Sequence, residues 1–306
     1  MAESGEKAAK RAIASTQRPV ELTDLLWRCD RDTGQRIPVH VEDVVAALRA
    51  RGQHRAARVA ASIPAAAGVF EEDAVDALMV RVHCELQRLG EELQLPRRVA
   101  ATLSDWARPL LLEQPTVRLR VVDVGCGLGY VIRWLAAHRV LGPDVELVGV
   151  DLNSTLIERA TTLADEESLQ CRFVTGDAFT PGVAIDDPAR TIVISSGVLH
   201  HFAPNELPGF FAAQQASGVS TFAHWDIAPS TWATLGAWLF HRARMREAVS
   251  RHDGVLSARR AHSARTLLSA AHQGAPDYDV HCLDIPSWAP PFSKVLRPIV
   301  GRVRVS

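Results

Sequence analysis

The stretch Val121-Val122-Asp123-Val124-Gly125-Cys126-Gly127-Leu128-Gly129 constrains this chain more than any other. An apolar run, Leu119 to Val124, ends in three glycines at alternating positions, and a helix-forming segment, Tyr130 to His138, follows at once. The order is strand, glycine turn, helix, which brings a small ligand up to the edge of a parallel sheet. Glycines there adopt backbone angles closed to other residues and leave no Cβ in the ligand's way.

The spacing bears on the ligand. A dinucleotide loop reads Gly-x-Gly-x-x-Gly, whereas this one reads Gly-x-Gly-x-Gly with Asp123 two residues ahead of it. An acid beside the loop repels a pyrophosphate, and a zwitterionic or cationic ligand tolerates or uses it. A second apolar run, Val145 to Val150, ends in Asp151, about 20 residues beyond the last glycine, where a carboxylate accepts from both ribose hydroxyls. The alternative for Asp151 is a cap on the helix that starts near Ser154. A third strand, Cys171 to Thr175, leads into Gly176-Asp177-Ala178-Phe179, in which Asp177 also reads as an ordinary turn residue. A fourth, Thr191 to Ser195, leads into Ser196-Gly197-Val198-Leu199-His200-His201-Phe202.

The Asp-x-Gly-x-Gly-x-Gly arrangement resembles motif I of the class I S-adenosylmethionine (SAM) methyltransferases. Gly176 to Phe179 resembles that family's adenine-binding turn, and Val198 to Phe202 the segment that faces the sulfonium in its small-molecule members. Together these motifs span Leu119 to Phe202. The resemblance implies an α/β fold, a doubly wound, mostly parallel seven-stranded sheet. It implies SAM as cofactor and S-adenosylhomocysteine as product. It carries the cofactor-lining role to Asp123, Gly125, Cys126, Gly127, Gly129, Asp151, Leu152, Asp177, Ala178, Phe179 and Ser196. In this reading Asp123 lies near the methionine amino group and the glycine backbone runs along the methionyl and ribose parts. Asp177 accepts from the adenine amine and the Ala178 N–H meets a ring nitrogen. Phe179 lies against the purine or packs in the core.

Methyl transfer from a sulfonium is an in-line displacement that the protein serves chiefly by positioning. An oxygen nucleophile also has a proton to lose, which suits a histidine at neutral pH. His200 and His201, directly after strand four, are candidates, against the alternative of bonds to nearby backbone. His224 and Asp226 flank Trp225 near the end of strand five and, by strand alternation, share a face as a candidate acid–base pair. Where nucleic-acid amino methyltransferases carry Asp/Asn-Pro-Pro-Tyr/Phe, this chain has Ser195-Ser196-Gly197-Val198, which disfavours base N-methylation. Asp226 alone is thin support for a metal-assisted catechol reaction, so no metal ligand is assigned. The expectation is a small, hydrophobic or aromatic acceptor, methylated at oxygen without a metal. A non-catalytic SAM binder and an RNA or protein methyltransferase are the alternatives.

A net charge of −1 gives no bulk pull toward nucleic acid. Five scattered cysteines, without a Cys-x-x-Cys pair, indicate neither a disulfide framework nor a zinc site. The polar start and the lack of a long apolar run predict a cytoplasmic protein without integral membrane association; a homodimer is compatible. Residues 1–17 read as a disordered tail and 18–116 as an N-terminal helical region that caps the substrate. The SAM-binding domain is expected over 117–306, with a helical insertion at about 229–260 after strand five and, as the resemblance implies, a closing antiparallel pair at Tyr278 to Asp284 and Val295 to Val305. Arg251-His252-Asp253-Gly254 is expected to break the long helical stretch that begins at Thr231. The string Ser250 to His262 resembles a stretch in bacterial methyltransferases encoded among lipid and polyketide-type biosynthetic enzymes. Trp232, Leu235, Trp238, Leu239 and Met245, followed by several arginines, suit packing on the domain, an acceptor pocket or a membrane surface.

Overall fold

The computed structural model describes residues 18–30, 33–113, 118–283 and 294–304. The expected tail, 1–17, lies outside the described residues, as do Asp284, Val305 and the side chain of Trp232. In chain order the elements are α1 (Thr23–Leu26), α2 (Val41–Ala50), α3 (His54–Ala60), β1 (Ala65–Ala66), β2 (Val69–Phe70), α4 (Glu72–Glu92) and α5 (Leu95–Glu113). Then come β3 (Leu119–Val124), α6 (Tyr130–His138), β4 (Val145–Asp151), α7 (Ser154–Glu166), β5 (Arg172–Thr175), β6 (Thr191–Ser196), α8 (Leu207–Ala216) and β7 (Thr221–Ile227). Helices α9 (Thr231–Arg244), α10 (Ala248–Arg260) and α11 (Ala264–Gly274) precede β8 (Tyr278–Cys282) and β9 (Leu296–Val303). The chain divides into two compact units, Met1–Val82 with Ser230–Arg260, and His83–Pro229 with Ala261–Ser306.

The larger unit holds a seven-stranded sheet in the order β5-β4-β3-β6-β7-β9-β8. Strands β3 to β7 pair in parallel, and β9 runs antiparallel between β7 and β8. Successive residues of β3 divide between two cores, as a strand covered on both faces requires. Val122 and Val124 join Val148, Val193, Phe210 and Phe222 on one side. Val121 joins Leu147, Ile192, Trp225 and Ile132 on the other. Val99, Ala100, Leu103 and Ala107 of α5 belong to that second core, so α5 packs on the sheet although its sequence groups it with the N-terminal helices. Pro96, the second residue of α5, starts the helix, where its missing N–H has no intrahelical role. Strand order reverses between β3 and β6, and the carboxyl ends there carry both the glycine loop and the segment after Ser196.

In the smaller unit the expected helix break lies elsewhere. Arg251 to Gly254 sits inside α10, and the interruption falls at Met245 to Glu247. Gly254 is a packing glycine: a Cβ there would stand 2.0 Å from Cε1 of His241 on α9. Asp253, Ser257 and Arg260 then hold residues 21–24. Asp253 accepts from the backbone N–H groups of Leu22 (2.8 Å) and Thr23 (3.0 Å), Ser257 donates to Glu21 (3.0 Å), and Arg260 pairs with Asp24 (2.6 Å) and Glu21 (3.3 Å). The β1–β2 hairpin, with two residues per strand, is too short to leave a period in the sequence. Among the described residues no helix is long and apolar enough to cross a membrane.

Candidate active site

Every residue assigned to the cofactor from sequence lies in the sheet unit. The glycine loop is tied to β4 by two bonds, from the N–H groups of Gly125 (2.7 Å) and Cys126 (3.0 Å) to the Val150 carbonyl. Gly125, Gly127 and Gly129 have φ of 71°, 55° and 69°, left-handed at all three positions. Space also demands glycine. A Cβ on Gly125 would meet Val198 at 2.5 Å, one on Gly127 would meet His83 at 2.7 Å, and one on Gly129 would meet Phe173 at 2.2 Å. Cys126 turns its sulfur toward Gly149, and burial raises its thiol pKa well above the ordinary value. It packs as a neutral group.

Asp123 is 1% exposed. Burial, and after it the Asp151 carboxylate, pushes its carboxyl up to about 8, and its Oδ1 has no hydrogen-bond partner among the described residues. A buried unsatisfied acceptor costs about 1–3 kcal/mol, which a bound cation repays. Asp151 accepts from the Gly127 N–H (2.8 Å) and the Asn153 N–H (2.9 Å), and each carboxylate oxygen keeps a further lone pair. The cap of α7 is Asn153, which accepts from the Leu156 N–H at 3.2 Å, so Asp151 is not the helix cap. Leu152, Ala178 and Ser196 are half-buried beside these groups. Asp177 accepts from the Phe179 N–H at 2.9 Å and shapes the turn after β5. The Phe179 ring meets Phe202 edge-on at 4.9 Å and Phe210 at 6.0 Å, which turns it to the core.

The histidines separate into two environments. His224 is 0% exposed, stacked on Phe222 at 5.2 Å and flanked by Phe210 at 5.0 Å, with Ser195 Oγ 2.9 Å from its Nδ1. Burial lowers its pKa from 6.5 to about 3. A general base must hold the proton it takes, and this site penalises the charged ring; His224, a candidate base by sequence, is a core residue. The expected His224–Asp226 pair is replaced by another. Asp226 binds His200 twice, accepting from its backbone N–H at 2.9 Å and from its Nδ1–H at 2.8 Å. Despite the burial, the His200 imidazole and these hydrogen bonds hold the Asp226 carboxyl below its ordinary range. In that contact with a carboxylate, Nδ1 is the donor. His201 is half-buried, its ring 4.4 Å from that of His200.

Two residues come against the loop in ways that no local sequence pattern shows. His83 sits on α4 far ahead of motif I and reaches Gly127 only through the tertiary fold. Val198 was visible only as part of a motif, and its contact with Gly125 is a consequence of the β3–β6 pairing.

Residues 121–216 match the family described as Methyltransferase domain. The chain carries a methyltransferase domain. The crystal structure of the plantazolicin methyltransferase BamL, in complex with a triazolic desmethylPZN analog and SAH, shares the fold. Its TM-score is 0.52 at 11% identity over 75% of this chain and 96% of that one. Magnesium protoporphyrin IX methyltransferase from Synechocystis PCC 6803, with bound SAH, aligns at a TM-score of 0.45 and 15% identity over 86% of this chain and 99% of that one. In sequence, ribosomal RNA small subunit methyltransferase C of Alcanivorax borkumensis is 37% identical over 62 residues. That match covers 20% of this chain and 18% of the relative's length.

Proposed function

We propose that this methyltransferase acts on a small, hydrophobic or aromatic acceptor, at oxygen and without a metal, with His200 as general base and Asp226 as the residue that positions it. The observation that carries the reading is the doubly bonded His200–Asp226 pair on the segment that packs, through Val198, against the glycine loop. SAM supplies an activated methyl group. The residues suit it: the orphaned Asp123 Oδ1 takes the methionine ammonium, the loop without Cβ atoms admits the methionyl and ribose parts, and Asp151 receives the ribose hydroxyls. Asp177 and Ala178 meet the adenine edge. His200 takes the acceptor's hydroxyl proton on Nε2, and Asp226 stabilises the resulting imidazolium. A ribosomal RNA acceptor fits less well, since the described relative shares only a short segment and the fourth-strand motif of base methylation is replaced by Ser195 to Val198.

Isothermal titration with SAM, S-adenosylhomocysteine and NAD tests the cofactor. Micromolar binding of the first two and none of NAD is expected. Turnover of SAM with a panel of phenols, lost in His200→Ala, tests the acceptor class. Methylation of ribosomal RNA, with no phenol accepted, would overturn it.

A further inference from the structure

Helix α9 turns an apolar face to solvent. Leu235 is 47% exposed, Trp238 47% and Leu239 55%, at the i, i+3, i+4 spacing of one helix face. The buried His241, on a neighbouring strip of the helix, approaches Gly254 of α10, and the buried Met245 follows just beyond the helix. The exposed face is therefore separate from the packing face. Its C-terminal end is basic. Arg242, Arg244 and Arg246 are all exposed, the Arg242 guanidinium lies 5.9 Å from the Trp238 ring centroid, and no Asp or Glu occurs from Thr231 to Arg246.

This composition selects among occupants. A second copy packed on this face would bury Arg242 against the partner's α9, which offers it no Asp or Glu, an unpaired charge that opposes association. An anionic bilayer surface offers the complement: headgroup phosphates for the arginines, the headgroup–acyl boundary for the leucines, and the interface for an indole. We propose that α9 docks the protein reversibly on anionic lipid bilayers, lying in the interface with Leu235, Trp238 and Leu239 inserted and Arg242 at the phosphates. The inference is independent of the acceptor reading, because it concerns adsorption and not methyl transfer.

Co-sedimentation of the full chain with phosphatidylglycerol vesicles and with phosphatidylcholine vesicles tests it. Expected are binding to the anionic vesicles, at least tenfold weaker binding to the zwitterionic ones, and release in 0.5 M salt, with roughly fivefold in partitioning for each arginine–lipid contact. Leu235→Ser/Leu239→Ser and Arg242→Glu should each weaken binding tenfold or more with an unchanged circular dichroism spectrum. Trp238→Phe should lose the blue shift of emission that vesicles induce. Failure to bind anionic vesicles at millimolar lipid would overturn the proposal, as would equal binding by the double variant. Light scattering that shows a dimer, dissociated by the same double variant, would assign the face to a second copy instead.

Discussion

Asp123→Asn separates what the buried carboxyl costs the fold from what it contributes to binding. The folded carboxyl titrates at about 8 against an ordinary 3.8. Between those values the folded protein keeps a proton that the unfolded chain has released, so stability falls as pH rises through the window. The slope is about 1.4 kcal/mol per pH unit for this one group. Asparagine does not titrate, and all other groups are common to the two proteins. In urea unfolding, the stability of Asp123→Asn relative to wild type should therefore increase by about 2.7 kcal/mol between pH 5 and pH 7. Binding should move the other way. A ligand ammonium requires the ionised carboxylate, so wild-type affinity for SAM should rise up to about tenfold per unit from pH 6 to pH 7.5, below the range where an α-amino group itself deprotonates. The variant should bind at least about 30-fold more weakly, with that pH dependence gone. Parallel stability profiles together with a pH-independent affinity in the wild type would refute both the burial argument and the ammonium assignment.

Other substitutions test the remaining contacts. Gly127→Ala should abolish SAM binding in titration, because its φ of 55° is left-handed and the added Cβ meets His83 at 2.7 Å. Asp226→Asn should lower kcat by about 10²-fold or more with little change in SAM affinity, since it removes the carboxylate behind the proposed base but touches no cofactor residue; unchanged kcat would remove the pair from the mechanism. His224→Phe should keep turnover within about threefold while costing about 1–3 kcal/mol through the stranded Ser195 hydroxyl, and a 100-fold loss of turnover would return His224 to the site. Gly254→Ala should lower the melting temperature, because its Cβ would stand 2.0 Å from the His241 ring.

Local physics made the sheet legible before any coordinates. Apolar strands ending in glycines or acids recur at regular intervals, and the required backbone freedom at Gly125, Gly127 and Gly129 is a property of residue type alone. The closing antiparallel pair was legible through the family resemblance. Misreadings arose where one residue type serves two purposes. Gly254 reads as a helix breaker because glycine costs helix stability, yet it is kept where a neighbouring ring leaves no room for a Cβ. Strand alternation put His224 and Asp226 on one face but could not show that aromatic rings enclose the first. It also could not show that the backbone and imidazole of His200 claim the second. Sequence by itself determined the fold class, the methyltransferase motifs and the place of Asp123 and Asp151 beside the glycine loop, because spacing along a strand–turn–helix unit fixes those positions within a few ångströms. Tertiary structure alone decided which histidine meets a carboxylate, that His83 closes on Gly127, and which face of α9 is left exposed. Those facts depend on packing between segments distant in the chain, and no local pattern encodes them.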